Sequence, residues 1–310
     1  MGRSFFCVER AGRLNNLVGF VVPAMNFLPL MAVGLDLTPL DFTRVRHQSA
    51  RVAVGLLGPL VLLPPLALGL TMLFQTRPDV AAGLLLIAVC PVGGISNAFT
   101  YLARASPALS ITLTGFSCLC AGVTIPLVGV SFELLLGRPL GFHAPATVLA
   151  AQTLLLLALP VAIGMGIRRR LPQIAVRYGR SLQRLAFCGV AVILLLIIAD
   201  EPDAFLRGLS STVPLALAFV VSATLVGWLS ASWVTHDARD RFTIAVEFGT
   251  RNVTVAIAIA VTLLGHVEFA RFAATYFLVE LPMMLIAVSL FRAFQLRKTS
   301  RLAAAGPQVE

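Results

Sequence analysis

The sequence predicts an all-α polytopic membrane protein of about nine transmembrane helices, built from inverted repeats in which two helices are discontinuous. Three observations predict it. The 310-residue chain is 58% hydrophobic and 12% charged, with a mean hydropathy of +0.91, where a soluble domain carries about 25% charged residues. Apolar stretches of about 20 residues, enough to cross a bilayer as helices, recur along its whole length. Two of those stretches are interrupted by Pro, Gly and polar residues at the depth where hydrocarbon demands regular backbone.

The spans fall near 15–36, 50–74, 80–103, 108–132, 144–167, 183–200, 210–234, 242–264 and 272–292. No connection between them is long enough for a separate soluble domain. Residues 1–14 carry Arg3, Arg10 and Arg13 and lead into the first span without an obvious cleavage site. They are read as an N-terminal extension rather than a removable signal peptide.

A net charge of +10 invites a nucleic-acid reading, but its placement argues against one. Arg168, Arg169, Arg170, Arg177, Arg180 and Arg184 crowd one connection, and Arg292, Arg297, Lys298 and Arg301 mark the end. With both on the cytoplasmic side, 16 basic residues lie inside, 7 outside and Arg251 within the membrane, which is the positive-inside pattern. The expectation is a multi-pass protein of the cell inner (plasma) membrane, with its N-terminus outside and residues 293–310 as a cytoplasmic tail. No basic segment is interleaved with aromatic residues, so no nucleic-acid partner is expected. The partners expected are the lipid bilayer and a small substrate, and no obligatory protein partner is evident.

The five cysteines form no framework. Cys90, Cys118, Cys120 and Cys188 sit in spans as small apolar residues, and Cys118 and Cys120 point to different sides of a helix. His47, His143, His236 and His266 all fall in loops or span ends. A buried serine therefore lacks a base, which argues against an enzyme.

The interruptions carry the chemistry. The first is "CPVGGISN", residues 90–97 in span 3; the second is "EFGTRN", residues 247–252 in span 8. An odd number of spans divides if two five-helix repeats exist and the first lacks its opening helix. Residues 15–143 then form a four-helix repeat and 144–292 a five-helix repeat of opposite orientation, and span 3 corresponds to span 8. Paired interruptions in corresponding spans point to a transporter binding site.

A charge at the centre of a membrane helix costs about 2.5–3.5 kcal/mol on insertion scales, so Glu247 and Arg251 need compensation. Four residues apart, they pair with each other, or Glu247 holds a bound cation. A hard cation takes oxygen ligands. Ser96 and Asn97 lie at the first break, and Ser110 and Thr114 share one face of span 4. Singly, each hydroxyl reads as back-bonded to its own helix; around one carboxylate they form a set. Glu280, in "VELPMM", is either a partner for Arg251 or a proton-carrying group.

The stretches "CPVGGISNAFTYLARASPALSITLT" and "VEFGTRN", with "GLDLTPLDF" at 34–42, resemble the bile acid:sodium symporter family in its bacterial, nine-helix form. The resemblance covers nearly the whole chain. It implies a core domain of spans 2–4 and 7–9 moving against a panel of spans 1, 5 and 6. Ten-helix relatives have an extra first helix; a start codon assigned too late is the other account of the difference. The resemblance implies a sodium site at Ser96, Asn97, Ser110, Thr114 and Glu247, with sodium as the coupling ion. The family's second sodium site does not carry over. Its two Gln ligands fall near Pro59 and on Arg251, and a guanidinium donates only.

The function implied is sodium-coupled symport of an organic anion, bile acid-like or a small carboxylate or sulfonate, by alternating access. The substrate is expected beside the crossing, near Gly94, Arg251, Asn252 and Glu280, where half-helix N-termini favour anions. Arg251 either replaces one coupling ion, leaving one sodium per monoanion, or neutralises Glu247 and makes transport sodium-independent or proton-coupled. A non-transporting membrane receptor is the remaining alternative.

Overall fold

The computed structural model describes residues 26–136, 146–200 and 202–304, and every stretch of secondary structure among them is helical. The extension 1–14, the first part of span 1, the 137–145 connection and the last residues of the tail lie outside the described residues.

The chain begins as α1 (26–36) and turns into the short α2 (Pro39–His47). Thr38 starts α2, its N–H and hydroxyl both donating to Asp41 Oδ2 at 2.8 and 2.7 Å. The long α3 (Ser49–Leu73) follows and runs unbroken through Pro59, Pro64 and Pro65. Next come α4 (Pro78–Val89), α5 (Ile95–Leu102), α6 (Pro107–Leu136), α7 (Ala146–Arg170), α8 (Pro172–Asp200) and α9 (Pro202–Ser232). The chain continues as α10 (Ala238–Gly249), α11 (Val253–Ala258) with a π-helical turn (Ile259–Leu263), and α12 (Val267–Ala304).

Among the described residues, six helices are long and apolar enough to span a membrane: α3, α6, α7, α8, α9 and α12, over the segments Ser49–Leu73, Pro107–Ile125, Ala151–Arg170, Ser181–Ala199, Pro202–Ser232 and Val267–Arg297. Spans 3 and 8 are broken into shorter pieces, α4 with α5 and α10 with α11 and its π turn. Large apolar side chains such as Leu57, Leu155, Leu195, Leu225 and Leu290 are exposed at the outer surface, as lipid-facing helices require. The chain is an all-α polytopic membrane protein.

Helices run longer than the apolar stretches suggest. The arginine-rich connection is not a loop: Arg168, Arg169 and Arg170 end α7, Leu171 alone intervenes, and Arg177 and Arg184 lie on α8. Pro172 at the first position of α8 explains so short a joint, since Pro favours a helix start and disfavours helix in the residue before it. The end of the chain likewise continues α12 as far as Ala304.

α9 packs against α3, α10 and α12, and α4 against α3 and α12, forming one buried cluster. α1 and α7 touch at glycines: a Cβ on Gly34 would lie 2.2 Å from the Val161 carbonyl, and one on Gly164 2.3 Å from that of Met31. Small residues let helix backbones approach this closely. At one end, Asp41 accepts from Arg44 (2.7 Å) and from Thr112 of α6 (3.0 Å). Buried Asp240 accepts from Arg51 of α3 (2.5 Å) and from Ser106 (2.5 Å). These two carboxylates tie α2, α3, α6 and α10 together.

The two breaks meet. Pro91 disfavours helix in the residue before it, and Cys90 is extended (φ −62°, ψ 152°). Thr250 is also extended (φ −110°, ψ 108°). Val92 and Arg251 pair as an antiparallel bridge, Asn252 N–H donating to the Pro91 carbonyl (2.8 Å) and Gly93 N–H to that of Thr250 (3.4 Å). A Cβ on Gly93 would stand 2.9 Å from the Arg251 carbonyl oxygen, so this contact needs glycine. Gly93→Val should therefore lower stability in detergent by about 1–3 kcal/mol. Gly166→Ala, at a helix position with open space around it, should leave the melting temperature unchanged or slightly raised; equal melting of both variants would contradict the crossing contact.

Candidate functional site

Glu247 is fully buried two residues before the end of α10. Its Oε1 accepts from Ser110 Oγ, and its Oε2 from Thr114 Oγ1 at 3.1 Å. Asn97 Oδ1 lies 2.8 Å from Ser110 Oγ and 3.4 Å from Thr114 Oγ1. Ser96 Oγ stands 3.1 Å from Thr114 Oγ1 and 3.5 Å from Ser110 Oγ. The structure thus brings together all five residues singled out for a cation, from α5, α6 and α10.

The cluster has more acceptors than protons. Six oxygens meet, and the three hydroxyls supply three protons, so these contacts cannot all be hydrogen bonds at once. Oxygens about 2.3–2.6 Å from a shared hard cation stand about 3–3.5 Å apart, close to most of the spacings here.

Arg251 does not pair with Glu247 as four-residue spacing in a continuous helix would suggest. The helix ends at Gly249, and the guanidinium turns instead to backbone. Nη1 donates to the Glu247 carbonyl (3.4 Å), and Nη2 to the Cys90 carbonyl and to that of Ala88 (3.5 Å). One fork thereby caps the C-terminal ends of α4 and α10, where carbonyls lack intrahelical partners and the dipole is negative. Arg251 forms no ion pair among the described residues, which include none between it and Glu280.

Tyr276 was missed by sequence reasoning. Its hydroxyl donates to the Gly249 carbonyl at 2.6 Å, closing the last turn of α10 from α12. Ser117 was missed too; its Oγ accepts from Val92 N–H at 3.0 Å. Neither stands out, because each serves a break located 25 or more residues away in sequence.

A cavity of about 880 Å³ opens beside the crossing. Gly94, Asn97, Arg251 and Asn252 line one wall, and Asp36 of α1 with Gln183 and Arg184 of α8 line another. Gln183 Nε2 donates to Asp36 Oδ2 at 2.9 Å. Asn252 is committed partly to its own helix, its Oδ1 accepting from Thr254 Oγ1 (2.8 Å) and Val255 N–H (3.2 Å). Glu280 does not line this cavity. It is buried on α12 on the face that carries Tyr276 one turn earlier, which sets it behind the crossing rather than in front of it.

The model of the family described as "Sodium Bile acid symporter family" matches residues 23–207. The chain belongs to that family. It is 28% identical over 237 residues to the "Probable sodium/metabolite cotransporter BASS2, chloroplastic" of Oryza sativa subsp. japonica, covering 74% of this chain and 54% of that one. It is 23% identical to the "Uncharacterized sodium-dependent transporter YocS" of Bacillus subtilis (74% and 70%). It is 28% identical to the "Sodium-dependent organic anion transporter" of Rattus norvegicus (84% and 70%). The match therefore spans about half the length of the rice relative. The family is one of sodium-dependent membrane transporters rather than enzymes.

If these oxygens hold sodium, Glu247→Gln should abolish stabilisation of the purified protein by NaCl over choline chloride. Ser110→Ala should weaken it about tenfold, or about 1.4 kcal/mol. Sodium-dependent melting that is unchanged in both variants would rule the cluster out.

Proposed function

We propose that this chain is a secondary active transporter that carries an organic anion together with sodium by alternating access, using one sodium site at Ser96, Asn97, Ser110, Thr114 and Glu247. The observation that carries the reading is the convergence of six oxygens, one carboxylate among them, on either side of a helix break. Sodium bound there joins α5 to α6 and α10, and so sets the position of both half-helices that face the cavity. Binding sodium first would order the crossing for the anion, and linkage requires the anion to tighten sodium by the same factor.

The anion belongs in the 880 Å³ cavity, against Gly94, Arg251 and Asn252. Its volume suits a bile acid-like molecule or a smaller carboxylate or sulfonate with an apolar body. The Arg251 guanidinium occupies a position ringed by backbone carbonyls of both breaks, and we assign it the place of a second coupling cation. Because its Nη1 and Nη2 turn to those carbonyls, it leaves the Glu247 carboxylate available to sodium, which favours sodium dependence over a sodium-independent carrier.

The repeats proposed are 15–143 and 144–292. The core is α3–α6 with α9–α12, rocking against a panel of α1, α7 and α8. The N-terminus is placed outside and the C-terminus in the cytoplasm of the inner membrane.

Proteoliposomes holding the purified protein test this. An inward sodium gradient should drive accumulation of labelled taurocholate or pantoate above equilibrium, and Glu247→Gln should remove it. Equal accumulation with choline in place of sodium would overturn sodium coupling, and binding without accumulation would make the protein a receptor.

A further inference from the structure

A second group of buried polar atoms lies behind the crossing. Both carboxylate oxygens of Glu280, Thr250 Oγ1 and Arg251 Nε are buried without a hydrogen-bonding partner among the described residues. Glu280 is 1% exposed, Thr250 0% and Arg251 2%, so bulk water does not take up the deficit. Arg251 is the charge that acts on Glu280, through its guanidinium and its backbone N–H, while no group among the described residues meets hydrogen-bond geometry at the carboxylate oxygens. Tyr276, one turn before Glu280 on the same face of α12, spends its hydroxyl on Gly249.

Among the described residues, the other elements packed on α12 bring no compensating charge to Glu280. α11 and its π turn carry no titratable residue, and those of α4 and α9 (Asp79, Asp203, Arg207) lie near the starts of their helices. On α10, Glu247 is turned to Ser110 and Thr114, while Arg239, Asp240 and Arg241 occupy the first turn. Tyr101 of α5 and Arg184 and Cys188 of α8 are exposed. Among the described residues, the titratable groups facing Glu280 are therefore Arg251 and Tyr276. An ionised carboxylate that accepts no hydrogen bond is costly in such a place, whereas the neutral acid is tolerated and can donate.

We propose that Glu280 is a proton-binding site of the carrier, and that the proton serves as the second coupling cation in place of the sodium that Arg251 excludes. The inference rests on the transport reading above. The step is a simple association: the carboxylate takes one proton from water on one side of the membrane and gives it up on the other, with no other bond changed. Charge supports it. With Glu280 neutral, Glu247 and Arg251 cancel, and sodium gives the site one positive charge to match a monoanion. Proton, sodium and monoanion together then move one net positive charge per cycle. Phe277, beside Tyr276 on α12, lines the cavity together with Arg251, so the cavity lies against the same turns of α12 that carry Glu280.

Infrared difference spectroscopy of the protein in lipid nanodiscs tests this without a known substrate. Wild type should show the carbonyl stretch of a water-excluded carboxylic acid that disappears as pH rises and is missing in Glu280→Gln. In Arg251→Gln the pH of its disappearance should move, and replacing choline by sodium should change its amplitude in wild type. Identical spectra of wild type and Glu280→Gln would overturn the proposal, as would a band that no alkaline buffer removes or that ignores both Arg251 and sodium. If Glu280→Gln does not fold, the Arg251→Gln and sodium comparisons still decide. Binding of ²²Na⁺ to wild type reads the Glu247 site separately: its loss with the acid band intact would sink the sodium reading and not the proton site.

Discussion

Two extended stretches of backbone crossing inside a helical bundle are the constraint on which the rest depends. Unpaired N–H and C=O groups away from water cost several kcal/mol each, so a break in a membrane helix survives only if its polar groups find partners. Here each break largely supplies the other: Pro91 and Gly93 exchange hydrogen bonds with Thr250 and Asn252. What remains is met by side chains from three directions, Ser117 on Val92, Tyr276 on Gly249 and Arg251 on the ends of α4 and α10. The crossing thereby fixes four half-helix ends at one place.

The position of the oxygen cluster follows. Ser96 and Asn97 are in the first turn of α5 because the first break ends at Gly94, and Glu247 is in the last turn of α10 because the second begins at Thr250. α6 lies alongside and contributes Ser110 and Thr114. No single helix could gather these groups, and Ser96, Asn97 and Glu247 hold their places only because both helices are broken. A ligand bound there is therefore coupled to the geometry of the crossing, and the crossing walls the cavity. That is a physical route from ion to substrate.

Arg251 and Glu247 illustrate why spacing alone misleads. In a continuous helix they would form a surface-like pair. The break rotates the guanidinium onto carbonyls instead, leaving one carboxylate among hydroxyls and another, Glu280, whose oxygens meet no hydrogen-bond geometry among the described residues. Two acids and one base share a region without forming an ion pair among the described residues, which leaves both acids free to bind something else.

Composition and hydrophobic run length were sufficient to determine that this chain crosses a membrane many times, because hydrocarbon imposes that pattern on any sequence it accepts. The oxygen set was legible as well, since a buried Glu247 needs compensation and Ser96, Asn97, Ser110 and Thr114 lie at and just after the first break. Which prolines break a helix was not. Pro59, Pro64 and Pro65 stay within α3, while the second break contains no proline; the difference lies in whether a second chain segment is present to take the freed hydrogen bonds. The arginine-rich segment reads as a loop by charge, yet it is helical to within one residue, because helix continues wherever nothing prevents it. The sequence by itself determined the class of fold and named the residues whose oxygens converge. Only the tertiary structure decided that Arg251 caps backbone, that Tyr276 and Ser117 hold the crossing, and that Glu280 stands behind the cavity, since each depends on contacts between residues distant in the chain.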